Sequence, residues 1–408
     1  SYPSVPAEKT LCPASLSSWS PDAAPVSANG SFLWATASER VGPQIAFVGE
    51  PPVLYAVYQN QNFDPEVVRR LPGEDLWSLP GVAGQGLSSV DAHGHPALAS
   101  DALGRVHVFY GSHVSAIRHA RNRGPAAPHR WDALPDIAEF ATYPTTLSYP
   151  EGELLLFFRA DRHYALLRSP DGETWSAPEP IVDWGDGYRI YPDAGVFQRA
   201  PDAPIHLSWS YYDYADGSHR GIYYARSADR GLTWSDSTGG TLASPISQED
   251  SETVYFAADE TTYGEDIVSD PWERPIILFS SRTDGIATYR LALRSDSGWT
   301  FRDLRATPEG DYGPMGGVLD VDPDGGAISA WLVVATEDAS GTLLEEWRAI
   351  EDGAVERGRT LRGALSEPSR IFNPKLVRPE EGGGAHIFFQ SAEDGARSFL
   401  FSAWAPDP

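Results

Sequence analysis

The sequence of 408 residues contains a single cysteine and only two lysines, and no apolar run reaches the length of a membrane span. Because Cys12 is alone, a scaffold stapled by internal disulfides is excluded. Basic residues number 31 against 57 acidic ones, so the formal net charge is −26. A field of this sign does not favour nucleic acid or an anionic membrane, and we expect neither as a partner. An anionic ligand would need a local cluster of arginines.

Long amphipathic helical patterns and low-complexity linkers are also missing. The 38 glycines and 34 prolines are spread along the chain, and aromatic residues make up 12% of it. Short alternating apolar stretches between turn residues are typical of β-strands. We therefore expect one all-β domain over residues 1–408. The chain begins at Ser1, and we expect a secreted, monomeric product whose export signal is not part of it.

The clearest structural unit is residues 91–121, which hold half of the ten histidines. Residues 96–100 are predicted as a strand, 101–104 as a tight turn, and 105–110 as a second strand. A hairpin reverses the chain, so its first strand begins at the edge where its second strand ends. His93 and His113 are therefore expected to meet.

Seven copies of this hairpin can be aligned. Their turns are predicted at residues 49–51, 101–104, 150–152, 200–202, 270–272, 322–325 and 380–384. Most copies are followed by a third strand and a tryptophan, and residues 168–175 and 226–234 fit the pattern S-x-D-x-G-x-T-W, the first with its glycine shifted by one position. In such a turn the Asp and Ser/Thr side chains bind backbone amides, and the tryptophan packs between sheets. We assign these motifs a structural role.

These motifs resemble the Asp-box (BNR) repeats of sialidase-like β-propellers. The resemblance implies a seven-bladed β-propeller with four-stranded antiparallel blades. Residues 31–37 are expected to pair with residues 398–404 and close the ring, which would leave no free sheet edge.

In a propeller, the starts of the first strands and the ends of the second strands meet at one face around the axis. The first-strand starts supply His93, His95, Tyr143, Arg189, Tyr191, Tyr312 and Arg370. The second-strand ends supply Asn60, His113, Arg159, Tyr211, Tyr212 and Arg282, and we add Arg168 and Arg226 from third strands. Guanidinium groups bind carboxylates bidentately, so this set suits an anionic sugar.

A 4-linked uronic acid bound by arginines could undergo β-elimination. Neutralising its carboxylate makes the C5 proton removable, because the anionic intermediate is then stabilised. One group takes that proton and another protonates the departing O4. Histidine can fill either role, and tyrosine can do so beside arginine. No cofactor is needed for this chemistry, and a structural calcium ion is compatible with the fold.

A second resemblance concerns Asp91-x-His93-x-x-Pro96, then His113 after Phe109-Tyr110-Gly111, then Phe157-Phe158-Arg159. These segments are similar to the BNR-type polysaccharide lyases, which include ulvan lyases and L-rhamnose-α-1,4-D-glucuronate lyases. The resemblance implies that His93 and His113 are the catalytic pair and that Arg168 and Arg226 neutralise the carboxylate or hold the substrate. Such lyases tend to carry a proton-transferring tyrosine at the position of Phe158.

We therefore predict a lyase that cleaves a rhamnose-(1,4)-glucuronic acid type linkage of a polysaccharide and leaves an unsaturated uronic acid. The predicted catalytic residues are His93, His113 and Tyr211. The role of the tyrosine missing at position 158 passes to Tyr211, Tyr212, another tyrosine or a histidine, or else the mechanism differs. The predicted substrate-binding residues are Arg159, Arg168, Arg189, Tyr191, Arg226 and Arg282.

Three alternatives stay open. A His/His pair could bind a metal, but no third ligand has suitable spacing, so we predict no metal site. A sialidase-type hydrolase is one alternative function, since Arg189-Ile190-Tyr191-Pro192 is similar to the sialidase Arg-Ile-Pro signature.

The acidic pairs Glu265/Asp266 and Glu337/Asp338 are assigned to solvated loops rather than to glycosidase carboxylates. A non-catalytic carbohydrate-binding propeller is the other alternative function.

Overall fold

A computed structural model describes residues 23–25 and 44–406 apart from short gaps. The gaps are residues 61, 75–76, 87–91, 126, 128, 309–315, 325, 337–340, 350–353, 362–369, 379–383 and 394–396. The described residues contain no α-helix, and a short 3-10 helix spans Ala92–Gly94. The prediction of an all-β protein is confirmed.

The strands are short and mostly rich in β-branched and aromatic residues. In chain order they are β1 (Ala23–Pro25), β2 (Gln44–Val48), β3 (Val53–Gln59), β4 (Pro65–Arg70), β5 (Gly81–Val82), β6 (Ala97–Ser100), β7 (Val106–Tyr110), β8 (His113–Asn122), β9 (Trp131–Ser148), β10 (Leu154–Arg159), β11 (His163–Ser169), β12 (Glu179–Asp183), β13 (Tyr188–Gln198), β14 (Ile205–Asp213), β15 (Ser218–Ser227), β16 (Trp234–Ser235), β17 (Thr241–Leu242), β18 (Glu252–Tyr255), β19 (Thr261–Ser269), β20 (Pro275–Thr283), β21 (Ile286–Ser295), β22 (Gly298–Pro308), β23 (Gly317–Val321), β24 (Ile328–Ala335), β25 (Thr342–Ala349), β26 (Val355–Leu361), β27 (Arg370–Val377), β28 (Gly384–Glu393) and β29 (Arg397–Pro406).

Within the described residues these strands form six sheets whose paired strands are antiparallel. The sheets contain β2–β5, β6–β12, β13–β18, β19–β22, β23–β26, and β27–β29 together with β1. All seven predicted hairpins are present, as the pairs β2–β3, β6–β7, β9–β10, β13–β14, β19–β20, β23–β24 and β27–β28. The seventh predicted turn lies mostly outside the described residues. The hairpin repeat read from the sequence is therefore confirmed.

The first strands of the seven hairpins contact one another in chain order. β2 contacts β6, β6 contacts β9, and the series continues through β13, β19 and β23 to β27, which contacts β2. These contacts link the seven hairpins in a circuit that returns from the last first strand to the first one. Residues at the starts of neighbouring first strands are therefore brought close to one another.

The N-terminal segment that pairs with the last sheet differs from the predicted one. Strand β1 pairs with β29, with Ala23 opposite Ala403 and Pro25 opposite Phe401. The predicted segment, residues 31–37, lies outside the described residues. The C-terminal partner was predicted correctly, but the partnering residues come from earlier in the chain.

Strand β9 joins the second and third hairpin units into one seven-stranded sheet. It is 18 residues long, and it pairs with β8 on one side and with β10 on the other. Thr142 of β9 lies opposite His113 of β8 on one side and opposite Arg159 of β10 on the other. One continuous strand thus fixes two predicted site residues relative to each other.

The Asp-box turns have the structural role that we assigned to them. In the first, Asp171 Oδ1 accepts backbone N–H groups of Glu173 at 2.8 Å and Thr174 at 2.7 Å. In the second, Asp229 Oδ1 accepts the Thr233 N–H at 2.8 Å. The tryptophan that ends the second box, Trp234, is buried in an apolar cluster between sheets. The boxes therefore hold the ends of the third strands against the core, and their Asp carboxylates accept hydrogen bonds from the turn itself.

A buried histidine pair lies in the core of the second unit. His107 Nδ1 lies 2.9 Å from His119 Nε2, and His107 Nε2 lies 3.2 Å from Asp101 Oδ2. Burial lowers the pKa of His107, although Asp101 opposes this shift. Burial, with smaller contributions from His107 and Arg121, lowers the pKa of His119 to about 3.

This pair should make the fold sensitive to acid. Below the ordinary histidine pKa of about 6.5, His119 is protonated in the unfolded chain but stays neutral in the folded protein. The free energy of unfolding therefore falls as the pH falls. Between pH 7 and pH 5, His119 alone should remove about 2 kcal/mol of the free energy of unfolding. Urea unfolding of the parent and of His119→Gln should show a smaller loss in the variant. His129→Gln, at an exposed site, is the control and should keep the parental loss. Equal losses in parent and His119→Gln would contradict the assignment.

Candidate active site

Eight side chains form a continuous row of rings and guanidinium groups near the starts of the first strands. In order of contact they are His113, His93, Tyr143, Arg159, Tyr191, His219, Tyr263 and Arg282. They come from the second to the fifth hairpin units, which the circuit of first strands brings together. Six of the eight were among the residues predicted to meet at this face.

The two histidines predicted as catalytic are in direct contact. The rings of His93 and His113 are stacked with centroids 3.9 Å apart and an interplanar angle of 10°. His93 lies on the 3-10 helix before β6, and His113 is the first residue of β8. Gly111 donates its N–H to the carbonyl oxygen of Gly94 at 3.3 Å, which ties the two segments together. Both rings are only half-buried, so a ligand can reach them.

The backbone around Gly111 explains how this pairing is possible. Gly111 has a φ of +71°, in the left-handed region where glycine is not penalised. The chain therefore turns sharply between the end of β7 and His113. The N–H of His113 donates to Ser115 Oγ at 3.1 Å, which fixes the start of β8. The hairpin thus does what the sequence predicted: it brings together histidines twenty positions apart.

Tyr143 connects the histidine pair to Arg159. Its ring centroid is 5.6 Å from that of His93, and the Arg159 guanidinium carbon lies 4.6 Å from the ring centroid. Tyr143 has a φ of +59°, an unusual conformation for a bulky residue. It lies at an irregularity in the pairing of β9 with β10. Such bulges re-aim side chains and are frequent next to active sites, and strained backbone often marks functional positions.

Arg159 is held between two tyrosine rings and is almost fully buried. Its guanidinium carbon lies 4.6 Å from the Tyr143 centroid and 4.9 Å from the Tyr191 centroid. The residue is 3% exposed, and its buried Nη1 makes no hydrogen bond with the described residues. A buried guanidinium without a carboxylate partner is energetically unfavourable by itself. Its N–H groups are therefore suited to an anionic ligand.

The far end of the row contains His219 and Tyr263, which sequence reasoning missed. The His219 ring lies 4.7 Å from Tyr191 and 4.4 Å from Tyr263, and its Nδ1 is 3.2 Å from Ser210 Oγ. The Arg282 guanidinium carbon lies 4.1 Å from the Tyr263 centroid. His219 lies near the start of a third strand, as His113 does. Searching the third-strand starts would have found it.

Tyr263 could have been found from its position in the repeat. Tyr143 lies within a register irregularity of its first strand, Tyr191 lies directly before one, and Tyr263 lies one residue before the irregularity between Gly264 and Asp266. The sequence signal is weak, because Tyr143 and Tyr191 are followed directly by proline whereas Tyr263 is followed by glycine.

Tyr211, which we predicted as a catalytic residue, does not belong to the row. Its ring packs against Tyr188 and Tyr223, and its hydroxyl lies 3.4 Å from Ser251 Oγ. Burial raises its pKa to about 12. Successive strand residues face opposite sides. Tyr212 therefore faces His219, 5.3 Å away, while Tyr211 belongs to the core.

Arg168 and Arg226 lie at the wrong end of their strands to hold a carboxylate beside Arg159 or His219. Arg168 is opposite Leu155, whereas Arg159 is opposite Tyr164. Four residues of a strand span about 13 Å. On β15, Arg226 is opposite His206, whereas His219 is opposite Tyr212. In an antiparallel sheet the third strand ends where the second begins, which is the end away from the row.

The contacts of Arg168 agree with this position. Its Nε lies 3.2 Å from the Glu179 carboxylate, and its Nη1 donates to the Arg230 carbonyl oxygen at 2.6 Å. Arg168 thus links the third unit to the Asp-box of the fourth. The structure thus places Arg168, which we predicted as a substrate-binding residue, in a contact between units and outside the row.

The other predicted face residues have mixed positions. Arg189 lies at the start of β13 with its guanidinium carbon 5.6 Å from the Tyr214 centroid, beside the row rather than in it. Asn60 donates to Glu66 Oε1 at 3.0 Å and accepts loop N–H groups, so it has a structural role. Phe158 is buried in an apolar cluster. Asp91 and Tyr312 lie outside the described residues.

The acidic pair Glu265/Asp266 is not on a solvated loop, which corrects that prediction. Both residues lie on β19, and Glu265 is buried. Asp266 Oδ2 accepts the Leu319 N–H at 2.8 Å. Burial raises the pKa of Asp266 to about 6, and Lys375 opposes this shift. The other pair, Glu337/Asp338, lies outside the described residues.

Over the described ranges, no three histidine, cysteine or acidic side chains are grouped so that they could hold a metal ion. In the same part of the chain, no helix is long and apolar enough to cross a membrane.

Residues 54–307 match the model of the BNR repeat-containing family. The chain belongs to this family. Among curated relatives, family similarity is found to an ulvan lyase of Alteromonas sp. (strain LOR), 26% identical over 270 residues, covering 54% of this chain and 55% of the relative. A second relative is the ulvan lyase PL25 of Pseudoalteromonas sp. (strain PLSV), 25% identical over 277 residues, covering 55% of this chain and 54% of the relative. The chain thus spans about half the length of the curated relatives it matches.

Solved structures show the same fold as this BNR chain. An ulvan lyase of polysaccharide lyase family PL25 superposes with a TM-score of 0.77 at 17% identity, covering 91% of this chain and 94% of that one. The same kind of enzyme bound to -[GlcA(1-4)Rha3S]- superposes with a TM-score of 0.76 at 16% identity over the same shares. Identities this low establish likeness of fold alone.

Proposed function

We propose that this chain is a polysaccharide lyase that cleaves a rhamnose-(1,4)-glucuronic acid type linkage by β-elimination. The single observation that carries the proposal is the stacked pair His93/His113, which Tyr143 joins to the buried Arg159. Proton acceptor, proton donor and carboxylate-binding cation are the three parts that the reaction needs, and here they are contiguous. The ulvan lyase relatives, one of them bound to a glucuronate–rhamnose chain, support the same chemistry.

In the proposed reaction, Arg159 binds the uronate carboxylate through its free N–H groups. This withdraws charge from the carboxylate and stabilises the anion that forms when C5 loses its proton. The electron pair of the C5–H bond forms the C4=C5 double bond, the C4–O4 bond breaks, and O4 leaves with a proton. The products are an unsaturated uronate and a sugar with a free hydroxyl.

The histidine pair supplies the proton transfers. A neutral imidazole accepts a proton and an imidazolium donates one, so two imidazoles in contact can divide the two roles. Tyr143 is the tyrosine that we assign to the role lost at Phe158, because it lies beside both His93 and Arg159. A hydroxyl near a guanidinium is a better proton donor or acceptor than one in an apolar core. Tyr211 is therefore the poorer candidate.

The circuit of contacts from β2 round to β27 and back to β2 supports a seven-bladed β-propeller as the architecture. We infer that residues 1–408 form this one domain, with the row at one face of the ring. We also propose that the protein acts as a secreted monomer on extracellular polysaccharide. The mechanism uses side chains alone, with no cofactor.

The function can be tested by following ultraviolet absorbance and reducing ends together. With a glucuronate–rhamnose polymer as substrate, we expect a near-ultraviolet band from the conjugated C4=C5 bond to rise in step with the reducing ends. A polymer whose carboxyl groups have been reduced should give neither signal. Reducing ends without the band would indicate a sialidase-like hydrolase instead. Binding without either signal would indicate a carbohydrate-binding propeller.

A further inference from the structure

An aromatic edge leads from the row outward to solvent. The Tyr212 ring lies 6.0 Å from that of Tyr191, and the Tyr214 ring lies 5.4 Å from Tyr212 at an interplanar angle of 85°. Tyr214 is 53% exposed, and the Arg189 guanidinium carbon lies 5.6 Å from its centroid. An exposed aromatic ring carrying a cation thus continues the candidate active site at its rim.

The backbone holds this edge in place. Arg189 and Tyr212 are directly opposite each other in the pairing of β13 with β14. Beyond the strand end, the Tyr214 N–H donates to the Gly187 carbonyl oxygen at 3.0 Å. The ring and the guanidinium are therefore presented by the open end of the β13–β14 hairpin. A pre-formed surface of this kind loses little entropy when it binds a ligand.

The charges around the edge leave Arg189 available. Among nearby acids, Asp186 pairs with Arg162 at 3.1 Å, Asp216 pairs with Arg220, and Asp213 accepts the Ala215 N–H at 2.8 Å. The Arg189 side chain makes no hydrogen bond or ion pair with the described residues. In a chain of net charge −26, an arginine without a carboxylate partner is not explained by the fold.

We propose that Tyr214 and Arg189 form a second sugar subsite, which binds an anionic sugar of the same glycan beyond the bond that is cleaved. The inference rests on the proposed function and extends it to substrate selection. The apolar face of a sugar packs on the Tyr214 ring, and the Arg189 fork binds a carboxylate or a sulfate ester on that sugar. Two tyrosine rings separate this pair from Arg159, so the subsite binds a neighbouring sugar and not the reacting one. The protein would then prefer longer anionic chains.

Kinetics on size-defined oligosaccharides test this subsite. For glucuronate–rhamnose oligosaccharides long enough to reach the rim, Tyr214→Ala and Arg189→Gln should each raise KM about tenfold and leave kcat within about twofold. For the shortest cleavable oligosaccharide, KM should not change. Trp272→Ala is the matched control: Trp272 is 65% exposed beneath Arg274, but at the turn between β19 and β20, the end of those strands away from the row. That variant should match the parent on all substrates.

Chemical changes in the ligand identify the anionic group. If Arg189 binds a sulfate, desulfated oligosaccharides should abolish the effect of Arg189→Gln. If it binds a carboxylate, reducing the carboxyl group of the remote sugar should do so. An Arg189→Gln effect that persists in both arms would overturn the proposal. So would equal KM increases on the shortest and longest substrates, or no increase on either.

Failure of the proposed function would look different. Calorimetric binding of the same oligosaccharides to Tyr214→Ala and Arg189→Gln, each made in a His113→Ala background, does not depend on turnover. In the His113→Ala protein, affinity should increase with the length of the oligosaccharide. If this increase is lost in both double variants, the subsite is supported even when no ultraviolet band is seen. A length dependence equal in all three proteins overturns the subsite, whatever the band shows.

Discussion

Replacing His113 with alanine should lower kcat for the elimination by about 10²–10⁴-fold, the usual contribution of a general acid or base. His113 stacks on His93 at 3.9 Å, and the proposed reaction needs two proton-transfer groups at one sugar. The loss should fall on kcat, with KM within a few-fold, because Arg159 still binds the carboxylate. The initial rate of the ultraviolet band on a glucuronate–rhamnose polymer measures it.

A matched control separates lost chemistry from lost structure. His113 is half-buried at a strand start, so its removal should leave the thermal midpoint nearly unchanged. His129→Ala removes an exposed histidine of the same sheet region and should retain full rate. If His113→Ala keeps the parental rate, the histidine pair has no part in the reaction, and the proposed mechanism is wrong.

The sequence predicted the hairpin repeat, the all-β class and the meeting of His93 with His113, because these depend on local rules. A turn of few residues fixes which ends of two strands are adjacent, and strand alternation fixes which residues face together. Repetition of the same unit then supports each assignment seven times. The Asp-box turns could also be predicted from the sequence, because their hydrogen bonds join residues within a few positions of one another.

Other positions could not be read correctly from residue types alone. Tyr211 and Tyr212 are adjacent identical residues, and only the strand register decides which of them enters the core. Tyr143 and Tyr263 are aimed by register irregularities, which insert residues into a first strand without a sequence signature of their own. Arg168 and Arg226 were misplaced for another reason. The resemblance implied their role, whereas the direction of the third strand places both residues at the end away from the row.

Arg159 should show the second large effect: Arg159→Gln should lower kcat/KM by about 10²–10³-fold, as expected for losing a principal stabiliser of developing charge. Arg159→Lys should recover only part of this, because an ammonium keeps the charge but not the bidentate fork. The free energy of unfolding should not fall with activity. Arg159 is 3% exposed and its Nη1 has no hydrogen bond to the described residues, so the cost of burying this charge offsets the contacts that the guanidinium makes with Tyr143 and Tyr191.

Arg168→Gln is the comparison variant. Together with Arg159→Gln it decides which of the two arginines binds the carboxylate. Arg168 contacts the Glu179 carboxylate and the Arg230 carbonyl oxygen, so its loss should reduce stability, by about 1–3 kcal/mol for hydrogen bonds that involve a charged group. It lies at the far end of its strand from Arg159, so kcat/KM should stay within a few-fold of the parent. Urea unfolding and the ultraviolet assay on both variants measure the two quantities. A large activity loss in Arg168→Gln with little loss in Arg159→Gln would contradict the proposed site and indicate that the carboxylate binds at the other end of the sheet. The two guanidiniums are separated by about 13 Å along the strand, so one carboxylate cannot contact both.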